Sequence, residues 1–271
     1  LVAVATLPRA HATPWRAQRP ITLLSPLPAG GALDAQLRLL ALETAKTLGQ
    51  PIIVEAKPGA GTTLAGAIVA NAKPDGTTLA VTLVNSLRYP YYQKSSWDPL
   101  KDFEYVCGLG SFALGVIVRP DSRWQTLGAL IEAGKRSPGT LSYGTAGIGG
   151  SGNLIAIELE RATGARFTHV PYKGGPETQR ALQAGDLDFI VEGGNQLALA
   201  EAGSLKALAI ASSKRSKRLP EVPTFQQRGI EVAGPSTYGL VGPAGLPAQA
   251  GAALPDAFLL ATPTPAYTTL V

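Results

Sequence analysis

Three glycine-rich turns are the residues of this 271-residue chain best suited to chemistry: Ala29-Gly30-Gly31, Pro58-Gly59-Ala60-Gly61 and Gly147-Ile148-Gly149-Gly150-Ser151-Gly152. Each lies between an apolar, strand-like run and a segment with helical periodicity. A turn without side chains lets a ligand approach the backbone. The first turn of the helix that follows presents unpaired N–H groups and a partial positive charge. Together these make an anion site that needs no Lys or Arg, and carboxylates fit it. Glycine at such turns also permits a tight strand-to-helix connection with no ligand at all, so the turns alone do not fix a function.

Gly147, Gly149 and Gly152 also satisfy G-x-G-x-x-G, which keeps open a nucleotide- or carboxylic-acid-using enzyme built around Gly147 to Gly152. Against it, the motif is mid-chain, and the region about 20 residues on, Thr168 to Lys173, offers no Asp or Glu for a ribose. Other enzyme readings have less support. The only His after Ser151 is His169, so a nucleophile elbow followed by Asp and then His fails. There is no Walker A signature and no spaced carboxylate cluster for a metal. Cys107, the single cysteine, excludes an internal disulfide and a Cys-based zinc site, and it reads as a buried small apolar residue. His11 and His169 are too few for a histidine-rich centre, and His169 reads as a polar strand-end residue. No catalytic residue and no cofactor is expected.

Glu192 follows the apolar run Leu187 to Val191 and precedes Gly193-Gly194. It therefore sits at a strand's carboxyl edge, where open α/β sheets bind ligands. An acid facing a carboxylate ligand repels it unless it accepts a hydrogen bond from a ligand hydroxyl or ammonium, or orients a bridging water. The expected role is selection among acids.

The elements that must position these residues alternate. Ile21 to Leu24 reads as a strand, and Leu33, Leu37, Leu40, Ala41 and Leu48 as the buried stripe of a helix ending at Gly49. Pro51 to Glu55 is the next strand, Thr62 or Thr63 the N-cap of a helix reaching about Ala72, and Thr77 to Val84 a third strand. The rhythm continues through strands near Tyr105 to Leu109, Leu114 to Val118, Leu141 to Thr145, Arg166 to Val170, Leu187 to Val191 and Leu205 to Ala211. Helices fall between them near Thr126 to Arg136, Asn153 to Thr163, Pro176 to Gln183 and Gln196 to Ala202. Such alternation predicts parallel sheets covered by helices. Two α/β lobes fit the length, the chain crossing near Pro120 and returning near Pro235: 20–119 with 236–271, and 120–235.

The composition, 45% hydrophobic with a net charge of +5, is globular. Lys214, Arg215, Lys217 and Arg218 form a short basic cluster without interleaved aromatics, which reads as a solvated turn, so no nucleic-acid partner is expected. Leu1 to Leu7 followed by Ala10-His11-Ala12 looks like the end of a secretory apolar region with its small-x-small cleavage site, making 1–19 a leader and the protein an exported one. No later segment reaches the roughly 18 apolar residues that span a membrane.

Several motifs in order resemble the Bug-type extracytoplasmic solute-binding receptors of tripartite tricarboxylate transporters. They are Pro20-Ile21-Thr22-Leu23-Leu24-Ser25-Pro26-Leu27-Pro28-Ala29-Gly30-Gly31 with Asp34, Leu48-Gly49-Gln50-Pro51 with Lys57-Pro58-Gly59-Ala60-Gly61, and Pro74-Asp75-Gly76-Thr77. Trp97-Asp98-Pro99-Leu100, His169-Val170-Pro171-Tyr172-Lys173-Gly174 and Leu219-Pro220-Glu221-Val222-Pro223 continue the series. The resemblance implies a two-lobed, flytrap-like α/β fold in the periplasm. It further implies a di- or tricarboxylate or related small organic acid held between the lobes, and membrane transporter subunits as partners. Carried across, the ligand cradle would use Pro28, Gly30, Gly31, Asn85 and Ser86 from the first lobe. The second lobe would add Thr145, Gly147, Gly149, Ser151 and Glu192, the last standing where the family usually has Asp. The family often has Pro where this chain has Ala29, and a Gly/Thr/Ser-rich tip where it has Leu83 and Val84. Ala248 to Val271 shows little periodicity and departs from the long helical region that completes the family's first lobe, so an uncovered apolar face is expected there.

Overall fold

The computed structural model describes residues 15–232, 236–264 and 267; the expected leader falls largely on residues 1–14, outside that range. In chain order the elements are β1 (Ile21–Ser25), α1 (Ala32–Leu48), β2 (Ile52–Ala56), α2 (Leu64–Ala70), β3 (Thr78–Leu83), α3 (Asn85–Arg88) and β4 (Phe103–Phe112). Then come β5 (Leu114–Val118), α4 (Leu127–Arg136), β6 (Ser142–Thr145), α5 (Ser151–Thr163), β7 (Thr168–Pro171) and α6 (Gly175–Ala184). The chain ends with β8 (Phe189–Gly193), α7 (Asn195–Glu201), β9 (Lys206–Ala211), β10 (Ser236–Pro243) and α8 (Ala248–Ala261).

These elements build two five-stranded sheets covered by helices, a two-lobed α/β fold. The strand orders are β2-β1-β3-β10-β4 and β7-β6-β8-β5-β9. The sheets are mixed, not wholly parallel, because β10 runs antiparallel to β3 and β4, and β5 antiparallel to β8 and β9. Each reversed strand begins where the chain has just arrived from the other sheet. β4 ends at Phe112 and β5 begins at Leu114, so the first crossing occurs at Ala113, earlier than the expected Pro120. β10 belongs to the first sheet from Ser236; Pro235, the expected point of return, lies outside the described residues.

Periodicity decided the helices. α1 buries Leu33, Leu37, Leu40, Ala41 and Leu48 against the first sheet and ends where Gly49, at φ 67°, donates its N–H to the Ala45 carbonyl at 2.9 Å. α8 reverses the expectation for the C-terminal segment. It runs through Pro255 and buries Ala250, Leu254, Ala257, Phe258 and Ala261 in the same core as α1. That spacing is helical; the proline, whose missing N–H falls on the half-exposed side, disguised it. The first lobe's apolar face is therefore covered. The expected helix from Thr62 or Thr63 also changes form: a 3₁₀ turn at Ala60–Thr62 precedes α2, and Thr63 donates its hydroxyl to the Ala60 carbonyl at 2.7 Å instead of capping. Cys107 lies half-buried on β4, where burial pushes its thiol up to about 11. Among the described residues no helix is long and apolar enough to cross a membrane, and no group of His, Cys, Asp and Glu could hold a metal.

Candidate functional site

The carboxyl ends of β1, β3, β6 and β8 face one another across the cleft, and the loops leaving them enclose a cavity of about 110 Å³ lined from both lobes. A single water needs roughly 10–15 Å³ on this measure, so the cavity has room for more than a few waters. Its walls include the first turns of three helices: Gly31 to Leu33 of α1, Gly150 to Gly152 of α5, and Gly175 and Pro176 of α6. None of the three carries a side-chain cap. Their positive ends therefore stay available to an anion. Among the described residues no Lys or Arg lines the cavity, and Glu192 is the only titratable side chain there.

Pro28, Gly31, Asn85, Thr145, Ser151 and Glu192 line the cavity. Gly30, Ser86, Gly147 and Gly149 do not, and each has another place in the fold. Gly30 takes φ 80° and donates its N–H to Asp34 Oδ2 at 3.0 Å. Burial works to raise Asp34, but hydrogen bonds from Arg38 and the Gly30 N–H outweigh it and hold the carboxyl below its usual range. The ionised Asp34 thus ties the Pro28 loop to the start of α1. Ser86 is buried beside Asn85, its hydroxyl without a partner. Gly147 and Gly149 meet the first lobe: a Cβ on Gly147 would lie 2.9 Å from Gly61 Cα, and one on Gly149 2.4 Å from the Tyr92 ring.

Asn85 is the polar anchor of the first wall. Its Nδ2 donates to the Gly61 carbonyl and to Thr62 Oγ1, leaving Oδ1 buried without a partner. The clamp holds an unusual backbone, for Ala60 and Thr62 take φ of 48° and 71°. A left-handed β-branched residue is strained and persists only when its surroundings fix it.

On the second wall, Thr145 Oγ1 donates to the Gly147 carbonyl at 3.0 Å, so His169 Nε2, 2.7 Å away, donates to Thr145. His169 Nδ1 then accepts, and Asn153 Nδ2 faces it at 3.4 Å. Burial holds His169 below its usual range, consistent with this neutral tautomer. Asn153 completes the set, accepting the Gly149 N–H at 3.0 Å and donating to the Tyr143 hydroxyl at 3.0 Å. His169, expected as an isolated strand-end residue, instead helps fix the loop before α5.

Glu192 is 8% exposed, and its Oε1 has no partner. Burial pushes it up to about 8, against the downward pull of hydrogen bonds from the Ala146 N–H and Thr178. The Gly175 carbonyl, 2.9 Å from the Thr178 hydroxyl, competes for its single proton. Burial thus favours its neutral form, which can donate a hydrogen bond as well as accept one.

Ser236, Gln196 and Thr62 also line the cavity and escaped sequence reading. Ser236 is brought in by β10 from far along the chain. Gln196, whose Nε2 donates to the Gly175 carbonyl at 2.9 Å, was signalled only by the preceding Gly193-Gly194.

Comparison with known proteins agrees with this geometry. The family model described as tripartite tricarboxylate transporter family receptor matches residues 36–271. The "UPF0065 protein in gbd 5'region" of Cupriavidus necator is 39% identical over 92% of this chain and 76% of its own length. The periplasmic binding protein BugD superposes with a TM-score of 0.87 at 27% identity, over 93% of this chain and 86% of that one. MatC from Rhodopseudomonas palustris, solved with bound malate, superposes with a TM-score of 0.85 at 31% identity, over 93% and 87%.

Proposed function

The chain belongs to the tripartite tricarboxylate transporter receptor family, and from that premise we propose that it is an exported solute receptor. In this reading it captures a small carboxylate-bearing molecule between its lobes and delivers it to a membrane transporter. The observation that carries the reading is the convergence of uncapped helix N-termini from both lobes on a cavity that no Lys or Arg lines among the described residues. A carboxylate supplies the charge those helix ends lack. MatC, 31% identical to this chain, was solved with malate, which supports a dicarboxylate of similar size.

Each lining group then has a task. The first turns of α1 and α5 hold carboxylate oxygens from opposite walls. Asn85 Oδ1 accepts from a ligand hydroxyl or ammonium. Glu192 in its neutral form donates to a carboxylate oxygen, which removes the repulsion a charged acid would bring. Gly31, Asn85, Thr145, Ser151 and Glu192 form the contact set; Gly30, Ser86, Gly147 and Gly149 shape and close it.

The enzyme reading built on Gly147 to Gly152 has weaker support. Gly147 and Gly149 are packed against Gly61 and Tyr92, where a dinucleotide's pyrophosphate would need room. A thermal-shift screen of malate, succinate, citrate, adipate, glutamate, NAD and NADP separates the two. An acid at a hundred times its Kd should stabilise the protein by about 2.7 kcal/mol. A response to NAD or NADP alone would sink the receptor reading.

A further inference from the structure

Four glycines of the second lobe stand where it meets the first. Gly147 and Gly149 lie against Gly61 and Tyr92, Gly194 against Ala32, and Gly174 against Pro28. Three of them take φ of 93°, 72° and 54°, left-handed values that account for glycine by the turn alone. Gly174 differs. It is extended, at φ 167° and ψ 176°, a conformation any residue adopts. A Cβ there would lie 2.7 Å from Pro28 Cδ and 3.1 Å from Cγ, across the cleft. Within its own lobe the nearest atom is Pro176 Cδ at 4.0 Å, an ordinary contact. The proline ring cannot swing aside, because it is closed onto the backbone. The missing side chain is therefore required only while the lobes are together.

We propose that Gly174 is a positioning residue for closure: lacking a side chain, it lets the Pro28 loop of the first lobe seat against the start of α6. In this way it sets how tightly an acid is held. Gly174 does not line the cavity; Gly175 and Pro176 beside it do. A clash confined to the closed state lowers the closed population and, with it, affinity. The inference rests on the receptor reading, because affinity reports closure only if a ligand is held between the lobes.

The test uses Gly174→Ser and Gly174→Ala. Serine supplies the same Cβ and, as N-cap of α6, caps the helix better than glycine, so lost binding cannot be charged to a frayed helix. Nitroxides at Leu42→Cys and Ile157→Cys, exposed positions on α1 and α5, report the interlobe distance in a Cys107→Ser background. Malate and adipate are the probes. Gly174→Ser should melt like wild type without ligand and bind whichever acid wild type binds at least about tenfold more weakly. It should also lose the short interlobe distance, and Pro28→Ala added to it should restore that distance. Wild-type affinity with wild-type distances would overturn the proposal, as would weaker binding with unchanged distances. If wild type binds neither acid, the receptor reading fails on its own, and the unliganded distances decide. A short component present in wild type and absent from Gly174→Ser sustains the steric role; identical distributions reject it.

Discussion

Ser151, at the first turn of α5, donates its hydroxyl to the Ser236 hydroxyl, at the start of β10, across 3.0 Å. Both are buried, one on a helix that covers the second sheet and the other on a strand of the first. One short bond thus ties a helix end that lines the cavity to the strand on which the chain returns to the first lobe. Replacing Ser236 with Ala should loosen this tie between the lobes. Calorimetry should then show weaker acid binding, with a change in melting temperature of no more than a few degrees for loss of a bond worth about 1 kcal/mol. Unchanged affinity would show that the bond plays no part in the closed state.

Glu192 predicts a pH dependence of stability. Burial raises its folded pKa from the ordinary 4.5 of a glutamate to about 8. Between these values the folded state holds a proton that the unfolded state has released, so stability falls as pH rises through that window. Glu192→Gln removes the effect. Denaturant melts from pH 5 to 9 should show wild type losing on the order of a few kcal/mol relative to the variant. Parallel curves would mean that Glu192 does not titrate in this range.

The same group predicts how binding titrates. If neutral Glu192 donates to a ligand carboxylate, malate affinity should hold below about pH 8 and fall roughly tenfold per unit above it. In Glu192→Gln the fall should vanish and malate should bind nearly as well as to wild type at pH 7. Isothermal titration at pH 7 and 9 decides. Retention of the fall in the variant would move the titration elsewhere.

Backbone amides, not Lys173, should carry the charge of the ligand. Lys173 is absent from the cavity wall, and its N–H is given to Glu177. Lys173→Ala should change affinity little. Gly31 is open enough for a Cβ, whose nearest neighbour would be the Pro28 carbonyl at 3.7 Å, so Gly31→Ala should bind while Gly31→Val, filling the cavity mouth, should not. The reverse pattern would assign the anion site to the lysine.

Phe258 is wholly buried in the core shared by α1 and α8. Phe258→Ala should cost about 3–5 kcal/mol. A loss under 1 kcal/mol by denaturant titration would show that α8 does not complete the first lobe.

Much of this was legible in the residues because it follows local rules. The helical spacing of Leu33, Leu37 and Leu40 and the glycines at strand ends located α1 and two of the turns that line the cavity. Six of the ten expected site residues line the cavity. What escaped depends on partners distant in sequence. Gly147 and Gly149 look like ligand-cradling glycines in isolation, and only their meeting with Gly61 and Tyr92 gives them a different task. The charge of Glu192 could not be read from its neighbours, since desolvation comes from the whole lobe around it. α8 was hidden by a single residue, Pro255, inside an otherwise regular buried stripe. The reversed directions of β5 and β10 follow from the crossing at Ala113, which no local pattern marks.

The late return of β10 also governs the order in which the chain can become native. β10 lies between β3 and β4, so the first sheet cannot join until residues 236–243 exist, and α8 must follow to cover it. During synthesis, most of the polypeptide therefore leaves the ribosome before its first lobe can fold. Here that delay is built into strand order, and a circular permutant that places β10 ahead of β3 would abolish it.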